Sequence, residues 1–449
     1  MSMEAPLTEK QKFPLLTEKG RSLLKWFHEH PHAPTFNHRC GDRLGDAGLQ
    51  RVKRYEAQLK DSAKQAGTGA LPPWVRAFAR SCLKEVPFFR RRGGSAERFE
   101  ELPPVTRADL GREPWAFVPD SQSLDDLIVY NTSGVTGHPL AILCHPEVSS
   151  QYIPLLRLAL RRHGVALKGG AGRVSIILAC YQERTYTYAS VSSYLGQAGF
   201  AKINLNSKDW RDPGDRARFL DSCNPEIYTG DPISFQELAR LKLRTRPKAL
   251  VATAMTLLPS FQKKLEKHFK CPVVDLYSMN ETGPIAVATT HGHEIVAGDI
   301  HVEILGSDGK ACPLGVRGEI VVTCARNPFL PLLRYRTGDW AALEFHRGAA
   351  VLKGLEGRPP VLFRSASGGP VNNIDVSNAL RLMPISQFSL HQEGDGQLVF
   401  RMRDGGISHD RVRSALERVF GGGRVIRFEV IGEADTRNGK TVQYTSDVA

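Results

Sequence analysis

The chain has 449 residues, 41% hydrophobic and 24% charged, with a formal net charge of +13. That length can bury large cores and should divide into two or three domains, while no apolar run approaches the ~20 residues that cross a bilayer. The basic balance invites nucleic acid, but the basic residues are dispersed apart from short runs such as Arg90-Arg91-Arg92, and no nucleic-acid-binding motif accompanies them. A surface that attracts small polyanions is the milder reading.

The start, Met1-Ser2-Met3-Glu4-Ala5-Pro6, leads into charged sequence without an apolar signal segment, which predicts a cytoplasmic protein. Eight cysteines are spread without a Cys-x-x-Cys pair, as expected of reduced, mostly buried thiols. His28, His30, His32, His38 and Cys40 form a local cluster but lack a recognised ligand spacing, so a surface segment is favoured over a metal site. Residues 1–120 read as helices and loops.

After the apolar run Leu127-Ile128-Val129-Tyr130 comes Asn131-Thr132-Ser133-Gly134-Val135-Thr136-Gly137-His138-Pro139. Glycines let backbone N–H groups close on phosphate oxygens, and small hydroxyls add donors without filling the space. The same composition also suits an ordinary solvated turn. It is not the Gly-x4-Gly-Lys-Ser/Thr loop of the kinase-like NTPases.

From Leu127 to about Arg347, strand candidates such as Val174–Ala179 and Ala249–Ala252 alternate with helical patterns such as Leu155–Leu160. That alternation predicts an α/β architecture with sheets sandwiched by helices. Two polar turns close strand-like runs within it. One is Val273-Val274-Asp275-Leu276-Tyr277-Ser278-Met279-Asn280-Glu281-Thr282-Gly283; the other is Leu333-Arg334-Tyr335-Arg336-Thr337-Gly338-Asp339, which follows Glu319-Ile320-Val321-Val322. Hairpin-like strands are expected around Phe388 to Met402, then a helix whose apolar face is Val412, Ala415, Leu416, Val419 and Phe420, ended by Gly421-Gly422-Gly423. Gly439-Lys440 follows near the end of the chain.

These four segments in this order resemble the adenylate-forming superfamily of acyl-CoA synthetases and adenylation domains. The chain is most similar to its phenylacetate-CoA ligase branch, whose "SSGTTG", "YGLSE" and "RYRTGD" motifs come in the same sequence. Phe99-Glu100-Glu101-Leu102-Pro103-Pro104-Val105-Thr106-Arg107-Ala108-Asp109-Leu110 is similar to that branch's segment ahead of the phosphate loop.

The resemblance implies a large N-terminal domain (1–353), a hinge (354–357) and a small α+β lid (358–449). It implies an ATP- and Mg²⁺-dependent acid-CoA ligase that makes an acyl-adenylate. Thr132, Ser133, Gly134, Thr136 and Gly137 would hold the β/γ-phosphates, Tyr277 and Ser278 the adenine region, Asp339 the ribose hydroxyls, and Arg358 the nucleotide from the domain junction. Glu281 would bind Mg²⁺, Lys440 would bridge carboxylate and α-phosphate, and these two with Thr136 make the catalytic set. The family's lysine after Gly-x-Pro is Leu140 here.

For the acid, the resemblance implies Tyr181, Gln182 and Tyr188, an aromatic wall suited to an aryl or arylalkyl carboxylate; these tyrosines equally suit a core. Coenzyme A is the expected acceptor. The hinge departs from the family, because Gly357-Arg358-Pro359-Pro360 stands where "GRSDD" is expected and two prolines restrict the torsional swing. An amine, another nitrogen nucleophile or a carrier-protein thiol as final acceptor therefore stays open. The partners expected are a small carboxylic acid and an acyl acceptor, without nucleic acid, in a monomer or homodimer.

Overall fold

The computed structural model describes residues 7–62, 71–131, 140–182, 185–357, 361–380, 382–403, 406–432 and 442–448. As expected, the region before the first strand is helical, with longer helices at Glu18–Glu29, Asp46–Ser62 and Pro73–Glu85. Their starts follow local chemistry: Thr17 caps the first through Gly20 N–H, and Pro73 opens the third, where a missing N–H costs nothing.

One 12-stranded sheet forms the body of the molecule. Its first half is parallel apart from the edge strand Tyr188–Ser192, which runs antiparallel beside Ala198–Asn204: Val174–Cys180 lies between Ala198–Asn204 and Ile227–Gly230, followed by Ala249–Ala252 and Val273–Met279. These strands are almost continuously buried and apolar, as a sheet covered by helices on both faces requires. The helices Pro146–Arg161, Asp215–Cys223, Pro232–Arg240 and Pro259–Phe269 supply that cover. From Val273–Met279 onward all pairing is antiparallel, through Gly283–Thr289, Gly292–Ile295, Ala349–Gly357, Leu332–His346, Arg317–Cys324 and Ile300–Leu305. Val273–Met279 is therefore where the sheet changes character. It pairs with Ala249–Ala252 only as far as Asp275, then continues beside Gly283–Thr289 alone.

The C-terminal unit is a four-stranded sheet of Ile426–Val430, Leu398–Met402, Phe388–Gln392 and Tyr444–Ser446, with helices Asn373–Leu380 and His409–Phe420. Phe388 and Phe400 stack at 5.6 Å, Tyr444 meets Phe388 edge-on, and Phe363 meets Tyr444 edge-on in a small aromatic core. The helix buries Val412, Ala415, Leu416 and Phe420, and Gly421 ends it at φ +87°, a conformation that favours glycine. The α/β body with a smaller α+β unit is the architecture the sequence predicted. Gly354–Gly357 forms the end of strand Ala349–Gly357, paired to the sheet as Trp340↔Glu356 and Asp339↔Gly357. Among the described residues no helix is long and apolar enough to cross a membrane.

Candidate active site

A cleft of about 390 Å³ opens where the sheet changes from parallel to antiparallel, and the C-terminal unit forms its opposite wall. In open α/β sheets a crevice outside the strand ends, at a change in topology, is where ligands bind. From the large unit Met255, Asp275, Tyr277, Ser278, His293 and Asp339 line it; from the small unit come Asn373, Gln387, Phe388, Gln443 and Tyr444.

Tyr277 and Asp339 come from motifs 62 residues apart, and the Tyr277 hydroxyl donates to Asp339 Oδ2 at 2.7 Å. Burial, together with the Asp339 carboxylate beside it, pushes the Tyr277 phenol well above its ordinary pKa, so it stays a donor. The Asp339 turn is set by its neighbours. Thr337 Oγ1 accepts from Asp339 N–H at 3.0 Å and donates to Ile320 O at 2.8 Å, while Gly338 takes φ +78°. Gly357 passes close by: a Cβ there would stand 3.2 Å from Asp339 Oδ1.

The strand end Ala252 leads into Ala254, a non-glycine residue at φ +68° held between Thr253, whose N–H donates to Gly230 O, and Met255, whose N–H donates to Thr253 O. Strain of this kind persists only where surroundings fix it, commonly beside a ligand site. This stretch had no recognised motif; its signal in the sequence was limited to its place after a buried strand.

Glu281 is buried, its side chain 4% exposed. Its Oε1 accepts from Arg107 Nη1 at 3.0 Å and from the Tyr335 hydroxyl at 3.2 Å. Arg107 is the first residue of a helix started by a capping box, in which Thr106 and Asp109 satisfy each other's N–H groups. Val105 just before it bridges to the third motif: Val105 N–H donates to Arg334 O at 2.9 Å and Arg336 N–H to Val105 O at 2.8 Å. Arg334, buried at φ +48°, donates to the carbonyls of Glu100 and Leu102 and pairs with Glu303. The segment 99–110 is thus tied to both polar turns. After Glu281, the buried Arg326 donates to Thr282 O at 3.0 Å and to Pro284 O, and Asp299 neutralises it at 2.6 Å. Arg107 and Arg326 were missed in the sequence because nothing local marks a long-range carbonyl or carboxylate partner.

Thr132, Ser133, Gly134, Thr136, Gly137, Arg358 and Lys440 lie outside the described residues. Around the first group, Ile128–Asn131 and Ala141–Cys144 pair as an antiparallel hairpin with Asn131↔Ala141 at its base. Leu140 is buried against the helix that carries Arg107, 3.8 Å from where a Gly111 Cβ would be. Tyr181, Gln182 and Tyr188 are not among the residues lining the cleft. Tyr181 lies under the Arg403 guanidinium at 5.9 Å, Gln182 exchanges backbone hydrogen bonds with the buried Asn204, and Tyr188 packs beside Phe200 and His38.

No family model matches the chain. Protein CapK of Staphylococcus aureus is 23% identical over 301 residues, 63% of this chain; the match spans 64% of that relative's length. Among solved structures, 2-hydroxyisobutyryl-CoA ligase in the postadenylation state with 2-HIB-AMP superposes with a TM-score of 0.57 at 16% identity, over 89% of each chain. The anthranilate CoA ligase AuaEII in complex with anthranoyl-AMP superposes with a TM-score of 0.51 at 14% identity, over 72% of this chain and 67% of that one. The likeness is one of fold: the chain has the fold of the adenylate-forming acid-CoA ligases.

Proposed function

We propose that the protein activates a carboxylic acid with ATP to an acyl-adenylate, releasing pyrophosphate, and then passes the acyl group to coenzyme A, as a phenylacetate-CoA ligase-like enzyme. One observation carries the reading. Tyr277 and Asp339, joined at 2.7 Å, face an inter-unit cleft where an aromatic ring and an acceptor-only carboxylate stand together. A purine needs a flat apolar face and a ribose diol needs a double acceptor.

In the first step a carboxylate oxygen of the acid attacks the α-phosphorus and the bond to the β,γ-pyrophosphate breaks. That is a problem of positioning and charge. Thr132, Ser133, Gly134, Thr136 and Gly137 hold the leaving phosphates, and Arg358 approaches the nucleotide after Gly357, which lines the cleft. Lys440 neutralises the transition state; Gln443, three residues on, lines the same cleft. Mg²⁺ would be held by Glu281 and would offset phosphate charge. A single carboxylate suffices for an ion that keeps its waters, and Arg107, on Oε1 at 3.0 Å, holds this carboxylate in place. In the second step the coenzyme A sulfur attacks the acyl carbon and AMP leaves.

An aromatic acid is favoured only by the resemblance of Tyr181, Gln182 and Tyr188 to the family's acid-binding positions, since these residues stand outside the cleft. A second reading keeps the adenylate but transfers it to an amine or carrier-protein thiol. Pro359-Pro360 favours it by stiffening the junction after Gly357.

The test is to incubate the chain with ATP, Mg²⁺ and a panel of aryl, arylalkyl and aliphatic acids, and to identify products by mass spectrometry. An acyl-adenylate with one of the aromatic acids is expected. ATP consumed only to ADP, or no consumption with any acid, would sink the reading.

A further inference from the structure

Asp275 and His293 face each other across the floor of the cleft. They stand on strands Val273–Met279 and Gly292–Ile295, separated by the single strand Gly283–Thr289, so both side chains rise on the same face of the sheet. His293 Nε2 lies 3.2 Å from Asp275 Oδ2, and the two side chains are only 18% and 21% exposed. A carboxylate only accepts, so the imidazole must present N–H at Nε2. Asp275 is also the last residue of its strand to pair with Ala249–Ala252, and the neighbouring strand turns away beyond Ala252. Its side chain therefore stands at the opening, two residues before Tyr277, with one oxygen taken by His293.

We propose that His293 is a positioning residue which fixes the Asp275 carboxylate, so that its other oxygen reads a hydrogen-bond donor on the edge of the base stacked at Tyr277. The inference rests on the nucleotide reading of the cleft. The recognised edge is that of a 6-aminopurine, which offers an exocyclic N–H. A 6-oxopurine presents a carbonyl at the same place and leaves both acceptors facing each other. Buried polar groups left unpaired in this way discriminate strongly between analogues. With a residue lacking a donor at 293 the carboxylate is free to rotate, and discrimination falls.

The experiment measures dissociation constants for ATP and inosine triphosphate with the whole chain and its variants, beside their thermal melting. The native protein should prefer ATP. His293→Phe should narrow the ATP-to-ITP preference by roughly tenfold, the size expected for a lost oriented hydrogen bond, and His293→Gln, which restores a donor, should recover most of it. If His293→Phe does not fold, Asp275→Asn provides the same readout, since an amide offers a donor to the 6-oxo group and should narrow the preference likewise. An unchanged preference in folded variants, or equal weakening of both nucleotides, would overturn the role of His293 while leaving the nucleotide site intact. A native protein that binds neither nucleotide would overturn the site reading and this inference with it.

Discussion

At the residue scale, the site is built of side chains that each satisfy a buried partner. The Tyr277 hydroxyl donates to Asp339 at 2.7 Å and lies 3.9 Å from the Met279 sulfur. Tyr277→Phe keeps the stacking ring and removes the anchor on Asp339. It should weaken ATP binding by about 1 kcal/mol, several-fold, with pyrophosphate exchange recovering at saturating ATP; an unchanged affinity would remove Asp339 from the ribose. Glu281 is different, since it is nearly inaccessible and relies on Arg107 and Tyr335. Arg107→Gln strips the charged donor from a buried carboxylate and should cost about 2 kcal/mol in urea unfolding, after discounting for the partly exposed guanidinium. Adding Glu281→Gln should return part of that loss, because the orphaned charge is then gone; strictly additive losses would mean the pair is not coupled.

At the scale of elements, Val273–Met279 organises everything else. Its first residues belong to the parallel half, its last to the antiparallel half, and the cleft opens at the change. Strand existence was legible from apolar runs such as Val174–Ala179 and Ala249–Ala252, because buried parallel strands carry no polar interruptions, and from Glu319–Val322, whose antiparallel strand is buried from Gly318 to Cys324. The helix His409–Phe420 was legible from its one-sided spacing. What the sequence did not reveal is pairing across distance: Arg326 against carbonyls 42 and 44 residues away, His293 against Asp275, and the C-terminal wall of the cleft. The junction belongs to this scale too. Gly354–Gly357, read from the sequence as the hinge, is paired into the sheet; the prolines at 359 and 360, outside the described residues, are of a type that restricts torsion. Replacing Pro359→Ser and Pro360→Asp should then speed acyl transfer to coenzyme A in single-turnover assays and leave adenylate formation unchanged. Transfer that is fast in the native chain and indifferent to the substitutions would show that the two prolines do not limit it.

At the scale of the whole molecule, the two units share one continuous apolar core on the parallel side, where Phe261, Leu265 and Phe363 to Phe420 belong to a single cluster. On the antiparallel side, where His301 meets Phe99 edge-on, pH offers a handle on stability. Burial lowers the His301 pKa to about 4 from an ordinary 6.5. The unfolded chain takes up that proton first, so His301 contributes stability that is present above pH ~6.5 and lost as the pH falls toward ~4, roughly 2 kcal/mol by pH ~5. Urea unfolding across that range should show the loss, and His301→Gln should flatten it; an equal slope in the variant would assign the acid sensitivity to other groups.

Acid-dependent exchange of labelled pyrophosphate into ATP reports adenylate formation whatever the final acceptor is, and tests the cleft most directly. With a carboxylic acid from the aromatic panel, the native protein should catalyse exchange, and Lys440→Ala should abolish it while retaining ATP affinity, because that lysine acts on the transition state more than on bound nucleotide. Exchange that proceeds unchanged in Lys440→Ala, or that is absent with every acid although ATP binds, would contradict the claim that this cleft makes acyl-adenylates.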